Sequence, residues 1–407
     1  MTNHEPVDGD PRLAGLREAA RALQPRTVAL RRALHRYPEL GLDLPNTQAA
    51  VLRALDGLDL RISTGTRLNS VIAVLDGGRP GPAVLLRGDM DALPLREDTG
   101  LPFASEVDGV MHACGHDTHT AMLASAARLL TTRREALAGR VLFMFQPGEE
   151  GVHGARHMLD EGLLDAAGAP VEKAFALHIT SKEFSGVVRC RPGPIMASMD
   201  DFTVTVRGHG GHASTPADAL DPVPAAAAMV GALQTAVTRR VSVFEPGVIT
   251  VGRITAGTTT NVIPETAELA GTMRAVSEKT RAKLAEELHR VVEHVGAAHG
   301  CTVEVDFRAG YPVTVNDDDV AERVRELSAG VLGEKNSVHM PNPLMGAEDF
   351  SYVLREVPGA LAFLGACPPG TEPADAPPNH SNKVHFDESA FAAGVATYAA
   401  FALDALR

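Results

Sequence analysis

The stretch Ala83-Val84-Leu85-Leu86-Arg87-Gly88-Asp89-Met90-Asp91 opens as a short apolar run and ends in a polar turn. The apolar part reads as a strand, as do Ser70–Leu75 before it and Val141–Phe145 and Ala174–Ile179 after it. Between them Thr118–Leu130 and Gly154–Gly162 read as helices. Strands that alternate with helices imply an α/β sheet. Polar residues cluster where the apolar runs stop: Asp89 and Asp91, then Gln146-Pro147-Gly148-Glu149-Glu150-Gly151, then His178. Open α/β sheets place their sites just past the ends of such strands.

Further out, residues 1–10 look frayed, and apolar residues recur at helical spacing from Leu13 to Leu34, with a break expected at Pro25. The pattern changes near Met196. Strand Phe202–Val206, helix Pro222–Val237, strands Val248–Ile254 and Ala267–Met273, helix Ser277–His299 and strand Val303–Phe307 follow in the β-α-β-β-α-β order of a ferredoxin-like module. The ends of such a module should lie close together, as an insertion requires. After Tyr311 the α/β character returns, with a helix from Asp317, a strand near Ala360–Leu364 and a last helix from Glu388. The expected fold is a mixed-sheet α/β catalytic domain, residues 1–195 and 310–407, interrupted by an α+β module, residues 196–309.

At 407 residues the chain is long enough for two domains. A net charge of −13 argues against nucleic acid and anionic membrane surfaces as partners. Trp is absent and aromatics are scarce, which disfavours base stacking. The widely spaced Cys114, Cys190, Cys301 and Cys367 form no disulfide framework, as suits a reducing compartment. With no apolar signal core and no run of about 18 apolar residues, the expectation is a soluble cytoplasmic protein.

The chemistry concentrates in His112-Ala113-Cys114-Gly115-His116-Asp117 and in the Glu149-Glu150 pair. Cys114 and His116, separated by one residue, can reach one ion, and a thiolate favours zinc, cobalt or nickel over magnesium. Asp117 also opens a helix and could serve as its N-cap. His112 and His119 are weaker candidates, placed behind the ligands or on the surface. Of two adjacent carboxylates, one can bind metal while the other reaches an activated water. Asp89 and Asp91 could orient ligand histidines or simply form the turn. His178 and His380, taken singly, carry no strong signal.

Together these motifs, with Gly208-His209-Gly210-Gly211-His212-Ala213-Ser214 and Asn379-His380-Ser381, resemble the amidohydrolase branch of the aminoacylase/carboxypeptidase-G metallopeptidases. That branch includes hippurate hydrolases, N-acyl-amino-acid amidohydrolases and plant auxin-conjugate hydrolases. The resemblance implies a zinc-peptidase-like catalytic domain and an inserted lid or dimerisation domain. It implies two divalent ions per subunit (zinc, manganese, nickel or cobalt) held by Cys114, His116, Glu150, His178 and His380, with Glu149 as catalytic base. It implies that His212 reaches the site of a partner subunit in a homodimer and steadies the carbonyl oxygen. Asn261 and Arg274 resemble substrate contacts, and Arg274 suits a carboxylate. One departure is Gly41-Leu42-Asp43-Leu44-Pro45, where relatives carry an acidic pair after Pro-Glu-Leu-Gly; it lies far from the ligands in sequence.

The reaction expected is hydrolysis of an N-acyl amino acid to a carboxylate and a free amino acid, by a metal-activated water with Glu149 as general base. A dipeptidase or carboxypeptidase would use the same site on a different substrate. A non-catalytic small-ligand-binding protein would be expected to lack the base or a ligand, and neither is missing.

Overall fold

The computed structural model describes residues 10–407. The expectation of fraying for residues 1–10 falls largely outside the described residues. By internal contacts the chain forms two compact units. The larger holds residues up to 193 together with Val315–Asn342 and Asp349–Arg407; the smaller holds Pro194–Thr314 and Pro343–Glu348.

The larger unit is built on an eight-stranded sheet. Its strands run in the order Arg61–Thr64, Val71–Asp76, Ala138–Gln146, Arg79–Asp89, Val171–Thr180, Gly359–Gly365, Val188–Cys190 and Ser337–His339. Arg79–Asp89 is parallel to both its neighbours, while Val71–Asp76 runs antiparallel to Ala138–Gln146, so the sheet is mixed. Central strands covered on both faces need continuous apolar runs. Residues 83–89 are accordingly all buried. Helices Leu16–Arg36, His116–Thr131 and Phe391–Ala405 pack on one another and share one core with the sheet.

Pro25 does not break its helix. Leu16–Arg36 is continuous, with Pro25 on the exposed side while Leu16, Ala20, Arg31 and Leu34 face inward. The freed carbonyl can therefore be bonded by water, and burial of the opposite face outweighs the local loss. Nor is Asp117 an N-cap. Gly115 holds that position with φ +91°, and no side chain caps the helix. Asp117 is instead buried against Arg31 Nε at 2.8 Å and His35 Nδ1 at 2.7 Å.

The smaller unit has the four-stranded order Gly247–Ala256, Thr266–Ala275, Asp200–Arg207, Thr302–Ala309, every neighbour antiparallel. Its helices Pro222–Arg240 and Glu278–Ala298 bury Met229, Leu233, Leu284 and Leu288 with Phe202, Val204 and Val206 in a core of their own. Asp221 and Ser277 cap the two helices by accepting from Val223 N and Thr280 N. Among the described residues no helix is long and apolar enough to cross a membrane.

Candidate metal centre

Parallel strands deliver the site. Arg79–Asp89, Ala138–Gln146 and Val171–Thr180 run side by side in one direction, and Asp89 lies in register with Gln146. Their carboxyl ends carry Asp89, the turn leading to Glu149 and Glu150, and His178. The segment before helix His116–Thr131 adds Cys114, and the loop before the final helix adds His380.

Cys114 is central to the cluster. Its Sγ lies 3.4 Å from His178 Nε2 and 3.2 Å from His380 Nε2. His380 Nε2 is 3.3 Å from Glu150 Oε1. Cys114, His116 and His178 form one possible ligand triad, and Cys114, Glu150 and His380 another, with donor atoms within 4.8 Å of one another in each. Donors bonded at about 2.0–2.3 Å around one tetrahedral ion stand about 3.5 Å apart, so these spacings suit shared coordination. His116 is fully buried, yet its Nε2 makes no hydrogen bond; Asp89 Oδ2 at 3.5 Å, Glu150 Oε1 at 3.9 Å and Glu149 Oε2 at 4.0 Å surround it. A buried, unsatisfied imidazole ringed by anionic oxygens fits a cation between them. The donor set, with soft thiol, imidazoles and carboxylates together, fits a transition metal.

Electrostatics agree. Burial opposes protonation of His116, but Asp89 and Cys114 outweigh it and raise its pKa well above the usual value. Hydrogen bonds to Cys114 and Glu150 push His380 up to about 10. Burial, then the charge of Glu150, raises the Cys114 thiol. The potential that holds protons on two imidazoles favours a divalent ion in their place.

A second ring of contacts fixes the donors. His119 is buried rather than on the surface: its Nδ1 meets Asp89 Oδ1 at 2.5 Å, and its Nε2 accepts from Ile179 N at 2.7 Å. That leaves the His119 proton on Nδ1, donated to Asp89. His178 Nδ1 donates to Ile179 O at 2.8 Å, which leaves its Nε2 lone pair directed at Cys114. His112 is buried too, with no hydrogen bond to either ring nitrogen, and burial drives its pKa down to about 3. Asp91 accepts from Glu149 N and Glu150 N, both at 2.9 Å, with one carboxylate oxygen each. Gly148, at φ +71°, makes that turn possible, and a Cβ there would meet Leu42 Cδ2 at 2.4 Å. Leu42, in the segment that departs from the relatives' acidic pair, therefore lies against the turn bearing Glu149, although far from it in sequence.

Several participants escaped sequence reasoning. Buried Arg87 donates to Gln146 Oε1 at 2.9 Å and pairs with Asp89 at 2.6 Å and Asp349 at 3.3 Å. Asp349 also accepts from Gln146 Nε2 and from Ala155 N, tying the 147–154 turn to the sheet. The signal for Arg87 and Gln146 was a long polar side chain closing an apolar strand; Asp349 had none. His212, Asn261 and Arg274 belong to the smaller unit. His212 pairs with Val262 in a two-residue ladder, and its Nδ1 accepts from Ser214 N at 3.1 Å. Asn261 lies beside it, its backbone carbonyl accepting from Ala213 N at 3.1 Å. Arg274 lies on the Thr266–Ala275 strand and donates to Met345 O at 3.0 Å.

Residues 85–404 match the model of peptidase family M20/M25/M40, and the chain belongs to that family. It is a metallohydrolase acting on amide bonds. It is 37% identical over 392 residues to thermostable carboxypeptidase 1 of Saccharolobus solfataricus, covering 95% of this chain and 97% of that one. It is 37% identical to N-acetyl-L-cysteine deacetylase of Bacillus subtilis over 84% of this chain and 81% of that protein. Its fold superimposes on a Bacillus subtilis dinuclear metal binding peptidase from the M20 family with TM-score 0.81, at 32% identity, over 95% and 99% of the two chains.

Proposed function

We propose that the chain hydrolyses N-acyl amino acids to a carboxylate and a free amino acid, with two divalent ions held by Cys114, His116, Glu150, His178 and His380. The observation that carries this reading is the convergence of those donors around Cys114 and His116, with Glu149 beside His116 and its backbone clamped by Asp91. Divalent ions held by these residues would supply Lewis acidity to the amide carbonyl and would lower the pKa of the attacking water. Glu149, 6% exposed, takes the proton from that water as it attacks. It then returns the proton to the leaving amine. Asp89 orients His119, and Asp91 holds the turn that presents Glu149 and Glu150.

In the same reading the smaller unit is a lid and the dimer contact. His212 steadies the developing oxyanion in a partner subunit, and Asn261 and Arg274 hold the amino-acid end, Arg274 by its carboxylate. Zinc, manganese, nickel or cobalt suits the donors, and the protein works in the cytoplasm. The deacetylase relative favours an acyl amino acid; the carboxypeptidase relative favours the second reading, a peptide cleaved at the same site. Turnover on acyl amino acids, dipeptides and longer peptides, after reconstitution with each metal, tests the two. The acyl amino acids should turn over fastest. Faster cleavage of peptides overturns the first reading, and no hydrolysis of any of them overturns both.

A further inference from the structure

We infer that Asn379 is a positioning residue that sets the metal centre, a role resting on the ligand reading above. Its Nδ2 donates to two carbonyls at once, Cys114 O at 2.9 Å and Ile179 O at 3.0 Å. The first belongs to a ligand itself. The second is the oxygen that also accepts from His178 Nδ1. One amide therefore grips the Cys114 turn and the strand end behind His178, and it precedes His380 in the chain. His380 N donates to Ala113 O at 2.8 Å, closing the same knot from its other side. Three segments more than 60 residues apart, each carrying a ligand, are fastened at one point.

Backbone strain supports this role. His380 has φ +69°, one of two non-glycine residues with positive φ among those described. Such a conformation is strained for a residue with a side chain and persists only where its surroundings over-determine it. The surroundings here are the Asn379 amide, the His380 N–H and the turn closed by Ser381 N donating to Pro378 O at 3.0 Å. Without the amide the turn loses its tie to the Cys114 and Ile179 carbonyls, and the His380 ring can shift away from Cys114.

Ser181 provides an internal control. Its hydroxyl donates to Pro377 O at 2.6 Å, so it pins the same loop to the same strand end but touches no peptide group of a ligand. If Asn379 only anchors the loop, Ser181→Ala should mimic Asn379→Ala. If it positions the ligands, the two should differ.

The test is cobalt titration of metal-free protein, followed by the near-ultraviolet thiolate-to-cobalt absorption and by competition with a chelator. Wild type should show the thiolate band; its absence overturns the ligand reading itself, not the role of Asn379. Asn379→Ala should bind cobalt about 10- to 100-fold more weakly and with a shifted or diminished band, as loss of an orienting partner does. Ser181→Ala should keep affinity and spectrum. Asn379→Asp, which is the same size but offers no amide donor, should match Asn379→Ala and so separates donation from packing. Wild-type affinity and spectrum in folded Asn379→Ala or Asn379→Asp overturn the inference. So does an equal loss in Ser181→Ala.

Discussion

Two adjacent carboxylates can take separate roles when their backbone is fixed and one of them reaches a further partner. Asp91 accepts from both of their backbone N–H groups and so fixes the turn; Glu150 Oε1 comes within 3.3 Å of His380 Nε2, while Glu150 at 3.9 Å and Glu149 at 4.0 Å both face His116 Nε2. Glu149→Gln keeps the shape and the clamp but removes the base. The metal content should be unchanged, and kcat should fall by about 10²–10⁴. Near wild-type turnover by the metal-loaded variant would remove Glu149 from the base position. Cys114 tests the ligands in the same way. Its sulfur is shared by both triads, so Cys114→Ser should weaken metal retention at two positions. Elemental analysis after dialysis should find well under the wild-type content, and equal content would rule out Cys114 as a ligand. The individual donors differed in how far they could be read from sequence. Cys114 and His116 are separated by one residue and point to a metal by spacing. His178 and His380 are single residues at the ends of distant segments, and only resemblance to a family singled them out. Asn379 and Asp349 could not be read, because their significance is a backbone carbonyl or N–H contributed by residues far away in sequence.

At the scale of elements, the apolar runs located the central strands, since central parallel strands must be continuously apolar, but helix Pro45–Leu55 and the short strands Arg61–Thr64, Val188–Cys190 and Ser337–His339 were not read. The misreadings came where burial overrode local preference. Pro25 sits inside an intact helix, and Asp117 forgoes capping for a buried arginine and histidine. The start of helix His116–Thr131 instead depends on Gly115. A Cβ there would lie 2.4 Å from Ile179 Cγ2 and 2.9 Å from Phe386, and φ +91° disfavours any side chain. Gly115→Ala should therefore destabilise the larger unit by about 3 kcal/mol, combining backbone strain with overpacking. Because Ile179 adjoins His178, metal affinity should fall as well. Thermal melts and metal titration of the variant check both, and a change under about 0.5 kcal/mol, the level of an innocuous surface substitution, would show that the turn is not constrained as described.

Among the described residues the larger and the smaller unit each have a core of their own, so heat and acid need not act on both together. All the proposed ligands belong to the larger unit, and a bound ion stabilises only the state that holds it. Chelation should lower the melting of the larger unit. The smaller unit has its own acid-sensitive contact. Glu287, 1% exposed, pairs with Lys283 at 3.1 Å and Arg290 at 2.5 Å. Burial pushes its pKa up, but the hydrogen bonds from Arg290 and Lys283 win and bring it to about 2. A carboxylate with a depressed folded pKa contributes stability above its ordinary pKa and loses it as pH falls through the folded one. That window runs from about pH 4.5 down to about 2, and because the partner cations are partly solvated the contribution is about 2 kcal/mol. Glu287→Gln should therefore melt earlier than wild type at pH 7, and the gap should close as pH approaches 2. Calorimetry with and without chelator completes the test: chelator should move one transition and Glu287→Gln the other. If each treatment shifts both transitions equally, the two cores unfold as one cooperative block. A gap that stays constant down to pH 2 would instead remove the ionised Glu287 cluster from the smaller unit's stability.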